Sequence, residues 1–210
     1  MIVRTTNLNT TGNWARPFGP IIYTNNISKM MKDEINYFAK NSKIKYNSML
    51  AGNIEQELVF EMSDQCSEEL KSFVFDYMDM LGEQLQMSHP SNVQPFVYIH
   101  PPWINVQKKG EWQPSHVHGG DYSCIIYSKI PKELKDEWMH PNQQGMYPSA
   151  GKIEFRYGEN LPSSRCSMML EPEEGEILLF PSWLHHHVYP FNSDVERISC
   201  SANFTLEYQS

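Results

Sequence analysis

Five of the eight histidines fall in two short clusters, W-Q-P-S-H-V-H-G-G-D at 112–121 and F-P-S-W-L-H-H-H-V-Y-P at 180–190. Imidazole binds iron, zinc, copper and nickel, so clustered histidines point first to a metal, without naming it. On an extended chain, residues i and i+2 share a face about 6–7 Å apart. His116 and His118 can therefore look inward together from one strand or strand end. In the triplet, His185 and His187 take one face and His186 the other. Two groups from the first cluster and His186 from the second would hold a metal from one side and leave the opposite side open, an arrangement that suits iron(II) chemistry with a bound co-substrate. A pair of surface histidines is the plain alternative on spacing alone.

A few residues later comes Arg197-Ile198-Ser199. On a strand, Arg197 and Ser199 share a face with Ser201 and Asn203. A guanidinium fork with a hydroxyl two residues on is a carboxylate receptor: two parallel charge-assisted bonds and a third from serine. On the surface, Arg197 would instead pair with Asp194 or Glu196, at little energetic gain. Turned inward it is costly to bury unpaired, so an inward Arg197 implies an anionic ligand.

These residues need a scaffold that holds strands side by side. After residue 90 the pattern becomes short and β-like, with candidate strands at 95–100, 103–108, 122–128, 152–157, 167–171, 176–180, 186–189 and 197–206, punctuated by Pro, Gly and Asn. About eight strands without intervening helices predict a sandwich or barrel, most simply a jelly roll. Before residue 90, helical periodicity dominates. One helix is expected over 28–40, with Met30, Met31, Ile35 and Phe38 on a face. A second is expected from an N-cap at Ser67, through Leu70, Phe73, Val74, Tyr77, Met80, Leu81 and Leu85, to an end near His89-Pro90. The reading is one domain over 1–210: helical N-terminal support over 1–92 and a β core over 93–210. Residues 131–150 form a long insertion that either borders the site or is a solvated loop; its Trp138, His140 and Tyr147 are candidate substrate contacts.

Bulk composition narrows the class. The formal charge of -8 disfavours a nucleic-acid partner, which would call for a basic surface. No apolar run approaches the roughly 20 residues of a membrane span, and the N-terminus lacks a secretion signal's apolar stretch, so a cytoplasmic protein is expected. Cys66, Cys124, Cys166 and Cys200 are scattered, with no C-x-x-C pair, and are read as free thiols.

Taken together, the motifs resemble the Fe(II)/2-oxoglutarate-dependent oxygenases, and are most similar to a 2OG-Fe(II) oxygenase family common in marine phages (cyanophages) and bacteria. The resemblance rests on W-x-N at Trp103–Asn105, H-x-H at His116–His118, S-x-x-x-Y at Ser123–Tyr127 and G-x-I-x-F at Gly151–Phe155. It continues with G-E-I-L-L-F-P-S-W-L-x-H-x-V-x-P at Gly175–Pro190 and R-I-S-x-S-x-N at Arg197–Asn203. It covers roughly residues 95–205 and implies a double-stranded β-helix, a cupin-like jelly roll, with N-terminal helices (α+β, mainly β). It implies iron(II) as the metal, with His116 and His186 as catalytic ligands, and 2-oxoglutarate as co-substrate. Arg197 and Ser199 would hold the far carboxylate, with Tyr127 and Asn105 as further contacts.

One position departs from the wider superfamily, whose proximal motif is H-x-D or H-x-E: here the residue at i+2 is His118. The third ligand is then His118, Asp121 or a water; Asp121 has the wrong spacing from His116 for one strand face, which favours His118. The implied reaction is hydroxylation of a substrate C–H bond, possibly on a peptidyl proline or a small molecule, with release of succinate and carbon dioxide. A jelly-roll module without turnover and a three-histidine zinc site are the competing readings, and the carboxylate receptor argues against zinc hydrolysis. A viral origin would place the protein in the host cytoplasm.

Overall fold

A computed structural model describes residues 13–15, 19–85, 95–139, 148–162 and 165–208. The strands are β1 (Asn13–Ala15), β2 (Ile22–Asn26), β3 (Gln56–Val59), β4 (Phe96–Ile99), β5 (Trp103–Gln107), β6 (Gln113–His116), β7 (Tyr122–Lys129), β8 (Ile153–Arg156), β9 (Ser167–Leu170), β10 (Glu176–Pro181), β11 (His185–Val188) and β12 (Arg197–Glu207). The helices are α1 (Lys29–Asn41), α2 (Asp64–Leu85) and α3 (Lys132–Trp138). One antiparallel sheet runs β1-β2-β10-β7-β12-β5-β3, with β4 also pairing β12; a smaller antiparallel sheet runs β6-β11-β8-β9. Two antiparallel sheets with these crossovers make the jelly roll expected from the sequence.

Alternation along the large sheet creates two cores. Ile104 and Val106 on β5, Cys124 and Ile126 on β7, Ile177 and Leu179 on β10, and Ile198, Cys200, Ala202 and Phe204 on β12 join the helix-side cluster with Met31 and Ile35 of α1 and Leu70, Val74 and Tyr77 of α2. The residues between them, Ile125, Tyr127, Leu178 and Phe180, point between the sheets and pack with Ile153, Phe155 and Val188 of the small sheet. The functional residues of β5 and β12 belong to this second face. Helices α1 and α2 thus brace the sheet from behind and leave the inter-sheet space for chemistry.

Helix α1 starts where capping predicts, with the Ser28 hydroxyl accepting from Met31 N at 3.1 Å. Helix α2 does not start at Ser67. It begins three residues earlier, at Asp64, and the Ser63 hydroxyl accepts from Cys66 N at 3.4 Å. Ser63 itself is tied to Glu34 of α1 through both its N and Oγ at 2.7 Å, a tertiary contact no local signal reveals. The region His89-Pro90 lies outside the described residues.

The N-terminal part is not only helical: β2 pairs with β10 and β3 with β5, so both complete the large sheet. These strands are four or five residues long and mostly polar, too short to display a period of two. The insertion carries α3, whose Leu134 is buried in the inter-sheet core. Trp138 donates from Nε1 to Ala150 O at 2.8 Å and lies under Lys152 Nζ at 4.4 Å. It is a packing residue there, and does not line the cavity described next; His140 and Tyr147 lie outside the described residues. The four cysteines are free thiols.

Candidate metal centre and carboxylate receptor

Strand β6 was invisible as a strand because Q-P-S-H has no apolar residue and contains Pro114. It sits at the edge of the small sheet, where a proline's missing N–H costs no ladder bond. Its pairing with β11 sets His116 directly opposite His186 in register. The two rings are 4.4 Å apart, centroid to centroid. His186 is the inward member of the triplet; His185 is exposed and His187 turns outward to Glu154, Nε2 to Oε2 3.2 Å.

His118 lies beyond the end of β6 rather than on it. Its backbone N–H donates to Ser182 O at 2.9 Å, which anchors the turn beside β11. Gly120 makes that turn possible with φ of 86°: a side-chain Cβ there would stand 2.6 Å from Phe204 O. The His118 ring is 4.8 Å from His116 and 5.1 Å from His186. The three histidines place one ligand nitrogen each within 4.8 Å of one another, a group able to hold a metal ion. Asp121 is elsewhere: its Oδ2 accepts from Leu206 N at 2.8 Å, and its main chain bonds Phe204 O and Ser182 N.

The ring orientations are set from behind. His116 Nδ1 lies 2.7 Å from Pro114 O and His186 Nδ1 lies 2.9 Å from Leu184 O. A carbonyl only accepts, so each Nδ1 carries the proton and each Nε2 offers its lone pair, the second-sphere pattern of metal-binding histidines. Burial holds all three imidazoles below the ordinary histidine pKa, His118 at about 4, with His116 adding to the effect on the other two. They are neutral at pH 7, the form that ligates. The cluster opens on a cavity of about 140 Å³ lined also by Trp103, Gln113 and Ser201.

The candidate carboxylate receptor is on β12. Arg197 is 1% exposed, the largest of the fully buried side chains. Its Nη1 donates to Gln107 Oε1 at 3.1 Å and Ser199 Oγ at 3.4 Å. Its Nε and Nη2 meet no hydrogen-bond partner, and neither does the hydroxyl of buried Tyr127, whose ring centroid is 5.0 Å from the guanidinium carbon. Burial lowers the Arg197 pKa from its ordinary value and pushes the Tyr127 phenol up. Register explains the grouping: Tyr127, Ser199, Asn105 and Glu57 are Cα partners in one row across β7, β12, β5 and β3. Asn105 faces the same interior, with Oδ1 3.4 Å from Gln113 Nε2.

The sequence reading missed Gln107, Gln113 and Glu57. Gln107 is two residues after Asn105 and thus on its face, a signal that parity already contained. Glu57 had none, since β3 shows no pattern of its own. Its carboxyl is fully buried, within reach of Asn47 Nδ2 at 3.2 Å and Gln113 Nε2 at 3.4 Å, and burial raises its pKa to about 7. The ordinary value is 4.5, so the folded state binds this proton more tightly than the unfolded chain. The resulting stability is present in full below pH 4.5 and is lost as pH rises through 7. A Glu57→Gln variant keeps a neutral side chain throughout. The melting-temperature difference between wild type and this variant should therefore shift in the variant's favour from pH 5 to pH 9; a constant difference would show that Glu57 does not titrate in this range.

Comparison with known proteins gives one family match and several similar folds. The model of the family described as "Putative 2OG-Fe(II) oxygenase" matches residues 101–203, the span that holds the three histidines and Arg197. Solved structures share the fold at low identity. A prolyl-4-hydroxylase from Pseudomonas putida is 12% identical with a TM-score of 0.52, covering 88% of this chain and 91% of its own. A viral collagen prolyl hydroxylase from Paramecium Bursaria Chlorella virus-1, solved as a 2OG complex, is 11% identical with a TM-score of 0.53, covering 87% and 94%. A prolyl hydroxylase from Trichoplax adhaerens, solved with a hypoxia inducible factor peptide fragment, is 12% identical with a TM-score of 0.53, covering 88% and 83%. No curated protein sequence matches the chain.

Proposed function

We propose that this chain is a 2OG-Fe(II) oxygenase, in line with the family match over residues 101–203, and that it hydroxylates a C–H bond of a peptidyl residue, with proline the first candidate. The supporting observation is the guanidinium of Arg197, fully buried with Nε and Nη2 unpaired, against Tyr127 of the inter-sheet core, whose Phe155 and Phe180 also pack on His186 of the histidine cluster. A buried charge with an open fork costs several kcal/mol unless a carboxylate completes it. The donor set therefore fits both groups: neutral imidazoles for iron(II), and a fork, Ser199 and the Tyr127 hydroxyl for the far carboxylate of 2-oxoglutarate.

His116, His118 and His186 would hold the metal, each through one ring nitrogen. Pro114 O and Leu184 O keep His116 and His186 in the correct tautomer. Arg197 orients the co-substrate by its remote end, and Phe155, Phe180 and Ile153 exclude water from the inner side. Once bound, iron(II) and 2-oxoglutarate supply the oxidation, with dioxygen consumed and succinate and carbon dioxide released. With three neutral ligands the metal keeps one more positive charge than in an H-x-D site.

A peptide is the preferred substrate class because two of the structural relatives are a collagen prolyl hydroxylase and a prolyl hydroxylase in complex with a peptide fragment. Among the described residues no helix is long and apolar enough to cross a membrane; the cytoplasm is the proposed location. Incubating the protein with iron(II), 2-oxoglutarate and proline-containing peptides should yield succinate and a peptide 16 Da heavier. Tight zinc binding with no succinate under any of these conditions would instead favour a three-histidine zinc site.

A further inference from the structure

The Arg197 guanidinium has two edges that can take a carboxylate side by side, and the structure selects one. The end-on edge is formed by Nη1 and Nη2, the side-on edge by Nε and Nη2. Nη1 is consumed by Gln107 Oε1 and Ser199 Oγ, while Nε and Nη2 are both without a partner. Only the side-on edge remains open.

Gln107 makes that choice robust. It is 0% exposed and is the register partner of Arg197 across β5 and β12. Its Nε2 donates to two main-chain carbonyls, Glu111 O at 2.6 Å and Tyr189 O at 3.1 Å. Turning the amide over would set Oε1 against both carbonyls and present an N–H to a cation, losing three bonds at once. The oxygen is therefore locked toward Arg197. Tyr189 directly follows β11, the strand of His186, so the same amide ties the anion receptor to the element that carries a proposed metal ligand.

Resting on the co-substrate reading above, we infer that Gln107 is a positioning residue: it holds Arg197 by Nη1 so that the Nε–Nη2 edge receives the remote carboxylate and selects 2-oxo diacids over monoacids. Gln107 touches no substrate itself. It acts through the orientation of Arg197.

The test compares binding of 2-oxoglutarate with that of 2-oxopentanoate, which has the same carbon chain without the second carboxylate, by calorimetry on the Co(II)-substituted protein. Wild type should prefer the diacid at least about 100-fold, the worth of two charge-assisted bonds. In Gln107→Glu the new carboxylate is repelled by the two carbonyls and competes for the guanidinium, so the preference should fall below about 10-fold with the monoacid affinity kept. In Gln107→Met, close in size and without an acceptor, the preference should fall in the same direction; it also serves if the buried glutamate prevents folding. Retention of the wild-type preference in both variants overturns the inference, as does an equal loss for both acids, which would mark a purely structural role. Absence of any preference in the wild type would instead overturn the co-substrate reading on which it rests.

Discussion

Replacing His186 with alanine should cut affinity for iron(II) or its Co(II) surrogate by more than about 100-fold and abolish succinate formation. Loss of an outer-sphere partner alone typically costs 10–100-fold, and a direct ligand costs more. His186 is 4% exposed and packs against Phe180 at 4.9 Å and Phe155 at 5.8 Å, so alanine also leaves a void. His186→Gln fills the space and separates metal loss from unfolding: it should fold and still fail to bind. His116→Ala and His118→Ala should behave likewise, measured by calorimetric titration. Asp121→Asn should leave metal affinity within a factor of a few, because its carboxylate is engaged with Leu206 N. A metal-binding loss in Asp121→Asn as large as in His118→Ala would reassign the third ligand.

Arg197→Gln should raise the 2-oxoglutarate dissociation constant by roughly 10²–10⁴-fold, from two charge-assisted bonds at about 1.5–3 kcal/mol each. Metal affinity should not change, since the guanidinium is no part of the histidine group and bonds Gln107 and Ser199 instead. The protein should remain folded, because Arg197 is buried at full charge with two of its nitrogens unpaired, so the native state gains little from it without a ligand. Arg197→Lys keeps the charge but not the fork, and should fall between the two. An unchanged dissociation constant in Arg197→Gln would remove the guanidinium from the co-substrate site.

Some of this was legible without a structure because it follows from periodicities of the chain. A period of two on β12 puts Arg197 and Ser199 on the face opposite Ile198 and Cys200, and on β11 it selects His186 from its triplet. Helices α1 and α2 announce themselves through apolar spacing and, for α1, the Ser28 cap. The polar strand β6 announces nothing, because an edge strand needs neither apolar residues nor a free N–H at Pro114. The α2 start at Asp64 escapes local sequence signals because Ser63 is tied to Glu34, 29 residues away in the chain.

Residue types and parity along the chain were thus enough to nominate three histidines and a carboxylate receptor and to place His186, Arg197 and Ser199 on β strands. Only tertiary structure could decide that β6 lies against β11 with His116 opposite His186, that the Gly119-Gly120 turn returns His118 to the same point while Asp121 turns away, and that Gln107 leaves one edge of Arg197 open. Parity is a local property of the backbone. Register, turn closure and the direction of an amide are set by hydrogen bonds between segments distant in the chain, and no single segment carries the information for them.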